Sequence, residues 1–312
     1  MKAVVYEKGS SPELLVYSEA EKPVPGDNEV LIKIHAAAVN AADSRSMKMG
    51  IIPKRRIFGS DIAGQVEAVG KNIRRFAVGD LVLGDISGCG MGGFAEFVAV
   101  PEAPLVHMPA SVPFGTAAAV PMSAVTALQG LRNLGSITPA KNVLIYGAGC
   151  GVGTFAVQLA KHFGAEVIAV CGEKNLPVIR SLGADHVINY LDYDITQVGG
   201  QYDLVLVVNG SNSLLDLKRL LAKGGICVIS GGSLKQVIKA VLFGGILSLG
   251  SKKLRSLSAK PDSEDLEFVI RLVEEGKINP VIDRSYPLAE TADAVRYQSS
   301  GHAMGKIIIE VA

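Results

Sequence analysis

One short stretch of the chain contains residues whose type and spacing could bind a dinucleotide. In "YGAGCGVGTF", residues 146–155, four glycines alternate at positions 147, 149, 151 and 153. Glycines at a strand-to-helix turn let the backbone approach a pyrophosphate closely, and the helix N-terminus adds unpaired N–H groups and partial positive charge. The apolar run "NVLIY" precedes the stretch and a helical pattern follows it, so the context favours a phosphate-binding loop over a plain structural turn.

The loop departs from the usual pattern at Cys150. No register of the stretch reads G-x-G-x-x-G, because a cysteine stands where a third close glycine is expected. If that position needs a positive φ, the cysteine is strained by about 1 kcal/mol or more. If only a small side chain is needed, cysteine is tolerated. The alternative is a thiol activated by the helix N-terminus as a redox sensor, although no second cysteine is near in sequence.

The residues after the second strand of this region bear on the choice of cofactor. NAD enzymes usually place Asp or Glu there to hold the ribose 2′-hydroxyl. This chain reads Cys171-Gly172-Glu173-Lys174-Asn175. Gly172 leaves room for a 2′-phosphate, and Lys174 and Asn175 can donate hydrogen bonds to it. Glu173 argues against a 2′-phosphate, because a carboxylate one position later could favour NAD. The other interpretation is that Glu173 and Lys174 belong to a solvated surface turn without a binding role. We predict NADPH (NADP) as cofactor.

The elements around these residues change character near residue 115. Before it, β-rich segments such as "EVLIKIHAAAV" alternate with turns; residues 116–250 read strand then helix, repeatedly. That alternation predicts a parallel sheet with right-handed crossovers. The tail reads as two helices and a final strand, "GKIIIEV", which we expect to rejoin the N-terminal unit. We therefore predict an α/β chain with domains 1–115, completed by 255–312, and 116–254.

Bulk composition narrows the functional classes. The 312 residues carry a formal net charge of +1, with 48% hydrophobic residues. No global field favours nucleic acid. No apolar run approaches the roughly 18 to 20 residues of a membrane span, and the first residues turn polar too soon for a signal peptide. The four cysteines form no CxxC pair, which suits reduced thiols in a cytosol, so we expect a cytoplasmic protein.

Several stretches resemble one known family. The loop region, "AVNAAD" (38–43), "FGSDIAGQVEAVG" (58–70), "SLGADHVINY" (181–190) and "GHAMGKIIIE" (301–310) are similar to the zinc-free quinone oxidoreductase branch of the medium-chain dehydrogenase/reductase superfamily. The tail and "CGEKN" resemble the plant chloroplast-envelope quinone oxidoreductases and alkenal reductases in particular. The resemblance implies a GroES-like β-rich domain, a Rossmann dinucleotide-binding domain and a homodimer paired through its Rossmann sheets.

The resemblance also implies a set of site residues. Asn40, Asp43 and Ser60 become substrate-pocket candidates, with Asp43 either a proton donor or a loop-orienting group; no catalytic residue is assigned. Cofactor-binding positions are Asn40, Thr126, Gly147, Gly149, Cys150, Gly151, Val152, Gly153, Gly172, Lys174, Asn175, Tyr190, Asn209, Gly231, His302 and Lys306.

A metal is not expected. Catalytic zinc needs about three ligands of the Cys, His or carboxylate type. Asn40 stands where zinc-dependent members of the superfamily carry a cysteine, and Gly59-Ser60-Asp61 stands where they read G-H-E. The five histidines are scattered singly along the chain. The resemblance singles out His302 among them, because the family tail approaches the cofactor.

Without metal or an obvious acid–base pair, the chemistry must suit an acceptor that stabilises the anion formed by hydride addition. We predict NADPH-dependent hydride transfer to a quinone, with reduction of the C=C bond of α,β-unsaturated carbonyls as the sibling alternative. The partner is then a small quinone or enone, with no nucleic acid and no stable membrane insertion. A third hypothesis of another class is an RNA- or membrane-associated nucleotide-binding protein with little catalysis, based on the basic stretch "SKKLRSLSAK" (251–260).

Overall fold

The chain divides into two compact units in a computed structural model. The structure describes residues 1–7, 11–195, 201–210, 212–232, 238–239, 242, 244–245 and 247–311. The first unit comprises Met1–Met122 and Pro261–Ala312, and the second comprises Ser123–Lys260. The boundaries expected from the sequence, 115/116 and 254/255, each fall a few residues before those of the structure.

The order of elements separates the units clearly, since strands dominate the first and alternate with helices in the second. The strands are β1 (Lys2–Tyr6), β2 (Leu15–Glu19), β3 (Glu29–Val39), β4 (Asp61–Val69), β5 (Leu81–Asp85), β6 (Phe97–Pro101), β7 (Leu105–His107), β8 (Asn142–Tyr146), β9 (Glu166–Cys171), β10 (His186–Asn189), β11 (Tyr202–Val207), β12 (Leu221–Ile229), β13 (Lys253–Ser256), β14 (Ile282–Pro287) and β15 (Lys306–Glu310). The α-helices are α1 (Ala41–Lys48), α2 (Phe114–Ala118), α3 (Pro121–Leu128), α4 (Gly151–His162), α5 (Leu176–Ser181), α6 (Leu214–Leu220), α7 (Ser263–Glu274) and α8 (Thr291–Ser299).

The first unit is organised around β3. In the order β14-β15-β3-β4-β5-β7, β3 pairs antiparallel with β15 and β4, and β6 also pairs with it. Alternation predicts that Val30, Ile32 and Ile34 are buried, which the structure confirms; on the other face Leu31 is buried and Lys33 is exposed, so that face is covered only in part. Pairing of β15 with β3 confirms that the last strand rejoins the N-terminal unit.

The second unit is built on a parallel sheet. Its strand order is β10-β9-β8-β11-β12-β13, and every neighbouring pair is parallel. Counted along the chain within this unit, that is the order 3-2-1-4-5-6 of a Rossmann fold, whose direction of progression reverses beside β8. The middle of β8 is buried, in keeping with the apolar run of a strand covered on both faces. The predicted α/β architecture is confirmed.

One predicted helix extends too far. The sequence pattern of residues 213–225, "SLLDLKRLLAKGG", predicts a helix up to the glycines, but α6 ends at Leu220 and β12 begins at Leu221. Leu221 pairs with Tyr202 of β11, and Gly224 adopts a φ of +86°, which a helix does not tolerate. Tertiary pairing therefore overrides the local helical pattern. Among the described residues, no helix combines the length and hydropathy that crossing a membrane requires.

Candidate active site

The glycine loop joins β8 to α4 and has two positions that only glycine fits. Gly147 has a φ of +91°, and a Cβ there would lie 2.7 Å from the backbone nitrogen of Asn209. A Cβ on Gly153 would lie 2.4 Å from the carbonyl oxygen of Gly147 and 2.6 Å from the Cα of Ala148. Gly147 therefore makes the tight turn, and Gly153 lets the first turn of α4 pack against the loop.

Gly149 completes the pattern. A Cβ on it would lie 2.1 Å from Nδ2 of Asn175, so the Asn175 side chain lies directly against the loop backbone. Gly147, Gly149 and Gly153 read G-x-G-x-x-x-G, one residue longer than the usual dinucleotide fingerprint. The stretch does not fit G-x-G-x-x-G because the third glycine, which packs against the loop, lies one residue later, at Gly153. Gly151 and Val152 are the first two residues of α4.

Cys150 is not strained. It is the N-cap residue of α4 with φ −85° and ψ 172°, an extended conformation that any L-residue adopts. The alternative in which cysteine replaces an obligatory left-handed glycine therefore does not apply. The side chain makes no capping hydrogen bond to the helix. Two other cysteines lie deeper in the second unit, where burial raises the thiol pKa of Cys171 to about 11 and that of Cys227 to about 12.

The segment after β9 brings together the residues expected at a 2′-phosphate. Glu173–Asn175 forms one short turn on which Lys174 is exposed. A Cβ on Gly172 would lie 3.3 Å from the ring of Tyr190, whose own N–H donates to the carbonyl of Cys171. The Tyr190 side chain is 52% exposed. Gly172, Lys174, Asn175 and Tyr190 thus form one exposed polar corner.

Two further predicted positions follow the next strands of the sheet. Asn209 comes after β11, and Gly231 comes after β12, where a Cβ would lie 2.1 Å from the carbonyl oxygen of Val208. Because parallel strands end at the same edge of a sheet, these residues share that edge with the glycine loop. Thr126 belongs to the same unit, on α3, and is half-buried.

The first unit holds a second group of predicted residues, gathered around a buried ammonium. Lys306, at the start of β15, is 2% exposed, and its Nζ donates to Oδ1 of Asn40 at 2.6 Å and to Oδ2 of Asp61 at 3.1 Å. Nδ2 of Asn40 donates to the same Oδ2 at 2.9 Å, and the other carboxylate oxygen accepts the N–H of Met122. Pairing of β15 with β3 creates this group, since Ile307 lies opposite Val39.

Asp43, on the first turn of α1, is fully buried beside this ammonium group. Its carboxylate accepts the backbone N–H of Asn40 at 2.8 Å and that of Gly59 at 3.3 Å. Burial raises the pKa of Asp43 from 3.8 to about 7, although both N–H groups act in the opposite direction. Asp43 can therefore hold or release a proton near neutrality.

Ser60 and Asp85 are two further buried polar residues of the first unit. Ser60 is fully buried, and its hydroxyl has no hydrogen-bond partner in the described part of the chain. Asp85 lies opposite Asp61 in the sheet, and burial, with the Asp61 charge adding to it, raises the pKa of Asp85 to about 6. Sequence reasoning missed Asp61 and Asp85 as site members. The available signal was an acidic residue at one end of each strand, Asp61 at the start of β4 and Asp85 at the end of the apolar strand β5.

The remaining prediction in this unit concerns His302. It is exposed, in the turn that precedes β15. Over the described ranges, no group of three or more His, Cys, Asp or Glu side chains could hold a metal ion. Of the residues at the positions of the superfamily's zinc ligands, Asn40 accepts a hydrogen bond from the Lys306 ammonium, and the Ser60 hydroxyl is buried without a hydrogen-bond partner among the described residues. That the protein works without metal stays a prediction.

Comparison with known proteins follows this geometry. Residues 26–110 match the family model of the alcohol dehydrogenase GroES-like domain, and residues 182–309 match that of the zinc-binding dehydrogenases. The chain is 35% identical to a chloroplast envelope quinone oxidoreductase homolog of Arabidopsis thaliana, over 95% of this chain and 94% of that protein. It is 30% identical to the NADPH-dependent alkenal/one oxidoreductase, chloroplastic, of the same plant, over 99% and 79%.

Solved structures agree with the sequence relatives. The quinone oxidoreductase from Coxiella burnetii superposes with a TM-score of 0.91 at 26% identity, covering 100% of this chain and 99% of that one. The Escherichia coli quinone oxidoreductase complexed with NADPH gives 0.86 over 100% of both chains; at 23% identity it shows the shared fold. The chain belongs to the medium-chain dehydrogenase/reductase superfamily, in its zinc-free quinone oxidoreductase branch. It is an oxidoreductase of the NAD(P)H-dependent reductase type.

Proposed function

We propose that this protein is an NADPH-dependent reductase that delivers hydride to a quinone without a metal. The choice of NADPH as cofactor is supported by the corner at the end of β9, which is formed by Gly172, Lys174, Asn175 and Tyr190. Gly172 stands where an NAD enzyme usually has an acidic residue. Lys174 supplies an exposed positive charge there, and the Tyr190 ring leaves no easy room for a longer side chain at position 172.

The glycine loop fits the pyrophosphate of such a cofactor. Side chains at 147, 149 or 153 would collide with Asn209, with Asn175 or with the loop backbone itself, so glycines keep the turn between β8 and α4 tight. The N-terminus of α4 adds unpaired N–H groups and a partial positive charge. Gly147, Gly149 and Gly153 would hold the diphosphate, and Lys174 with Tyr190 would hold the 2′-phosphate. NADPH, when bound, supplies the hydride.

The quinone half rests on the relatives and on the buried polar group of the first unit. A quinone takes one hydride and one proton to give the hydroquinone, and NADP⁺ is released. Asp43, whose pKa is raised to about 7, is a group of this chain that can hold a proton at neutral pH. Asp61 binds the Lys306 ammonium directly, and the charge of this ammonium also acts on the buried carboxyl groups of Asp43 and Asp85.

Reduction of an activated C=C bond is the second candidate. Two similar proteins carry names of that kind, an alkenal/one oxidoreductase of Arabidopsis thaliana and a 2-methylene-furan-3-one reductase of Solanum lycopersicum, the latter 32% identical. Hydride then adds to carbon, and the anion develops on the carbonyl oxygen. The side-chain amide of Asn40 could donate a hydrogen bond to the oxygen of either acceptor.

The structure gives little support to an RNA- or membrane-binding role for residues 251–260. Nζ of Lys252 donates to the carbonyl of Lys218, Nζ of Lys253 to that of Ser248, and Arg255 to that of Leu134. These cations are engaged with carbonyl groups of their own unit. A cytoplasmic location and a homodimer remain proposals that rest on the cysteine pattern and the family.

Deuterated cofactor tests the reaction. NADPH labelled at nicotinamide C4 is mixed with the protein and either an o-quinone or a short enal, and each product is analysed by mass spectrometry. We expect rapid NADPH consumption with the quinone and a hydroquinone that loses the label to water, since the label reaches oxygen. A label retained on the β-carbon of the enal, at a higher rate, would favour the second candidate. Consumption with neither, or robust NADP⁺-linked alcohol oxidation, would refute both.

A further inference from the structure

The side-chain amide of Asn40 is oriented by two charged groups. The Lys306 ammonium can only donate, so it fixes the carbonyl end, Oδ1, at 2.6 Å. Oδ2 of Asp61 accepts from Nδ2 at 2.9 Å, which fixes the nitrogen end independently. Flipping the amide would place its NH₂ against the ammonium and its oxygen against the carboxylate. One orientation of Asn40 is therefore enforced.

Asn40 has one amide hydrogen that the charged pair of Lys306 and Asp61 does not use. All three residues are buried, with Asp61 at 0%, Lys306 at 2% and Asn40 at 6% exposure. Nδ2 of Asn40 carries two hydrogens; one goes to Asp61, and the other has no acceptor among the residues the structure describes. Lys306 can therefore influence a bound molecule through the amide that it holds.

Stability does not explain the arrangement. Burying an ammonium and a carboxylate together often contributes no more than a well-packed apolar pair would, because desolvation offsets their attraction. Two neighbouring acids, Asp43 and Asp85, are buried in the same place with raised pKa values. Concentrations of perturbed ionisable groups are typical of functional sites.

We propose that Lys306 is a positioning residue for the reductase reaction, and that it acts by holding the free N–H of Asn40 toward the carbonyl oxygen of the acceptor. This rests on the proposed function. Negative charge develops on that oxygen as hydride arrives, and a donor fixed in advance stabilises it without reorganisation. Asn40 is then the contacting group, and Lys306 with Asp61 sets its orientation.

A double-mutant cycle tests the proposal. The parent, Lys306→Met, Asn40→Ala and the double variant are compared by kcat at saturating NADPH with an o-quinone and by the Kd of NADPH from fluorescence. Because loss of one oxyanion donor lowers kcat by roughly 10²–10³, we expect Lys306→Met to lower it about 10- to 100-fold, with little change in Kd. In the Asn40→Ala background the same change should alter kcat by less than about threefold, since coupled residues are not additive.

Two further variants separate positioning from folding. Lys306→Met leaves Asp61 buried without its cation, so Lys306→Met/Asp61→Asn is included because it leaves no unpaired charge; the kcat loss should persist in it. Lys306→Arg should recover part of kcat. Lys22→Met, which removes an exposed lysine of the same unit, should leave kcat unchanged.

Each contrary outcome has a distinct meaning. Equal-fold losses of kcat in both Asn40 backgrounds would overturn the proposal while the proposed function stands. So would a Kd for NADPH raised more than about tenfold at unchanged kcat, because Lys306 would then bind the cofactor directly. A parent that consumes NADPH with neither acceptor would refute the proposed function, and this inference with it.

Discussion

Asp43 shows how one buried carboxyl group links structure to pH. Its carboxylate has two backbone N–H donors, yet full burial outweighs them and raises the pKa to about 7. In the unfolded chain the same group titrates near 3.8. Between these values the folded protein keeps a proton that the unfolded chain releases, so this group makes the folded state less stable as pH rises.

We predict that Asp43→Asn removes this pH dependence. The parent should lose stability relative to the variant by up to about 1.4 kcal/mol per pH unit between pH 4 and pH 7, and the difference should level off above pH 7. Urea unfolding at a series of pH values measures it. Asp85→Asn is the comparison variant, whose effect should level off nearer pH 6. A stability difference between parent and Asp43→Asn that is constant from pH 4 to pH 8 would contradict the raised pKa.

Cys150 gives a second prediction at this scale. Its φ of −85° means that glycine relieves no strain there, and its side chain makes no capping bond to α4. Glycine is also an acceptable N-cap residue. Cys150→Gly should therefore bind NADPH within about threefold of the parent, as judged by fluorescence titration, which is under 1 kcal/mol. A loss of more than about tenfold would show that the thiol side chain contributes to binding.

At the level of elements, the glycine loop depends on contact between α4 and β8. Gly153 lies on the first turn of the helix, where a Cβ would come within 2.4 Å of the Gly147 carbonyl oxygen. That neighbour is backbone and cannot move aside without displacing the loop. The shape of the glycine loop and the packing of the first turn of α4 against it are therefore one structural feature.

Gly153→Ala should lower both the stability of the folded protein and its affinity for NADPH. We expect destabilisation of about 1–3 kcal/mol from overpacking, and a loss of NADPH affinity because the loop is pushed out of shape. Thermal unfolding and cofactor titration measure the two effects. Gly88→Ala is a matched control, since a Cβ there meets nothing within 4 Å. Unchanged NADPH affinity in Gly153→Ala would show that the loop tolerates the helix moving away.

The helices and strands also show how much of the structure the sequence alone predicts. Strand-loop-helix alternation around residues 142–162 was predictable, because buried parallel strands and amphipathic helices leave local apolar patterns. The family resemblance singled out Gly153, but its packing against the Gly147 carbonyl was not predictable, since the usual spacing assumes a loop one residue shorter. The ion group at Asn40, Asp61 and Lys306 joins positions far apart in the chain, and only the pairing of β15 with β3 brings them together. No local pattern carries that information.

For the whole molecule, family membership raises the question of whether the protein binds a metal. A family model that matches this chain is that of the zinc-binding dehydrogenases, whereas Asn40 and Ser60 offer no zinc-ligating side chain. We predict that purified protein contains no stoichiometric zinc and that a chelator leaves its reductase activity intact. Elemental analysis before and after chelation checks this. Near-stoichiometric zinc that is lost together with activity would refute it.

The central claim is the preference for NADPH, and it depends most on Lys174. One charge-assisted hydrogen bond to a 2′-phosphate is worth roughly 1.5–3 kcal/mol, which is about tenfold or more in affinity. The measurement is the ratio of kcat/KM for NADPH to that for NADH, with an o-quinone, in the parent, Lys174→Ala and Lys223→Ala. Lys223 is an exposed lysine near the start of β12, at the opposite edge of the sheet from the glycine loop. We predict that the parent prefers NADPH. Lys174→Ala should lower the ratio at least about tenfold, because it weakens the binding of NADPH and not that of NADH. Lys223→Ala should leave the ratio unchanged. Equal use of both cofactors by the parent, or a ratio that Lys174→Ala does not alter, would contradict the account.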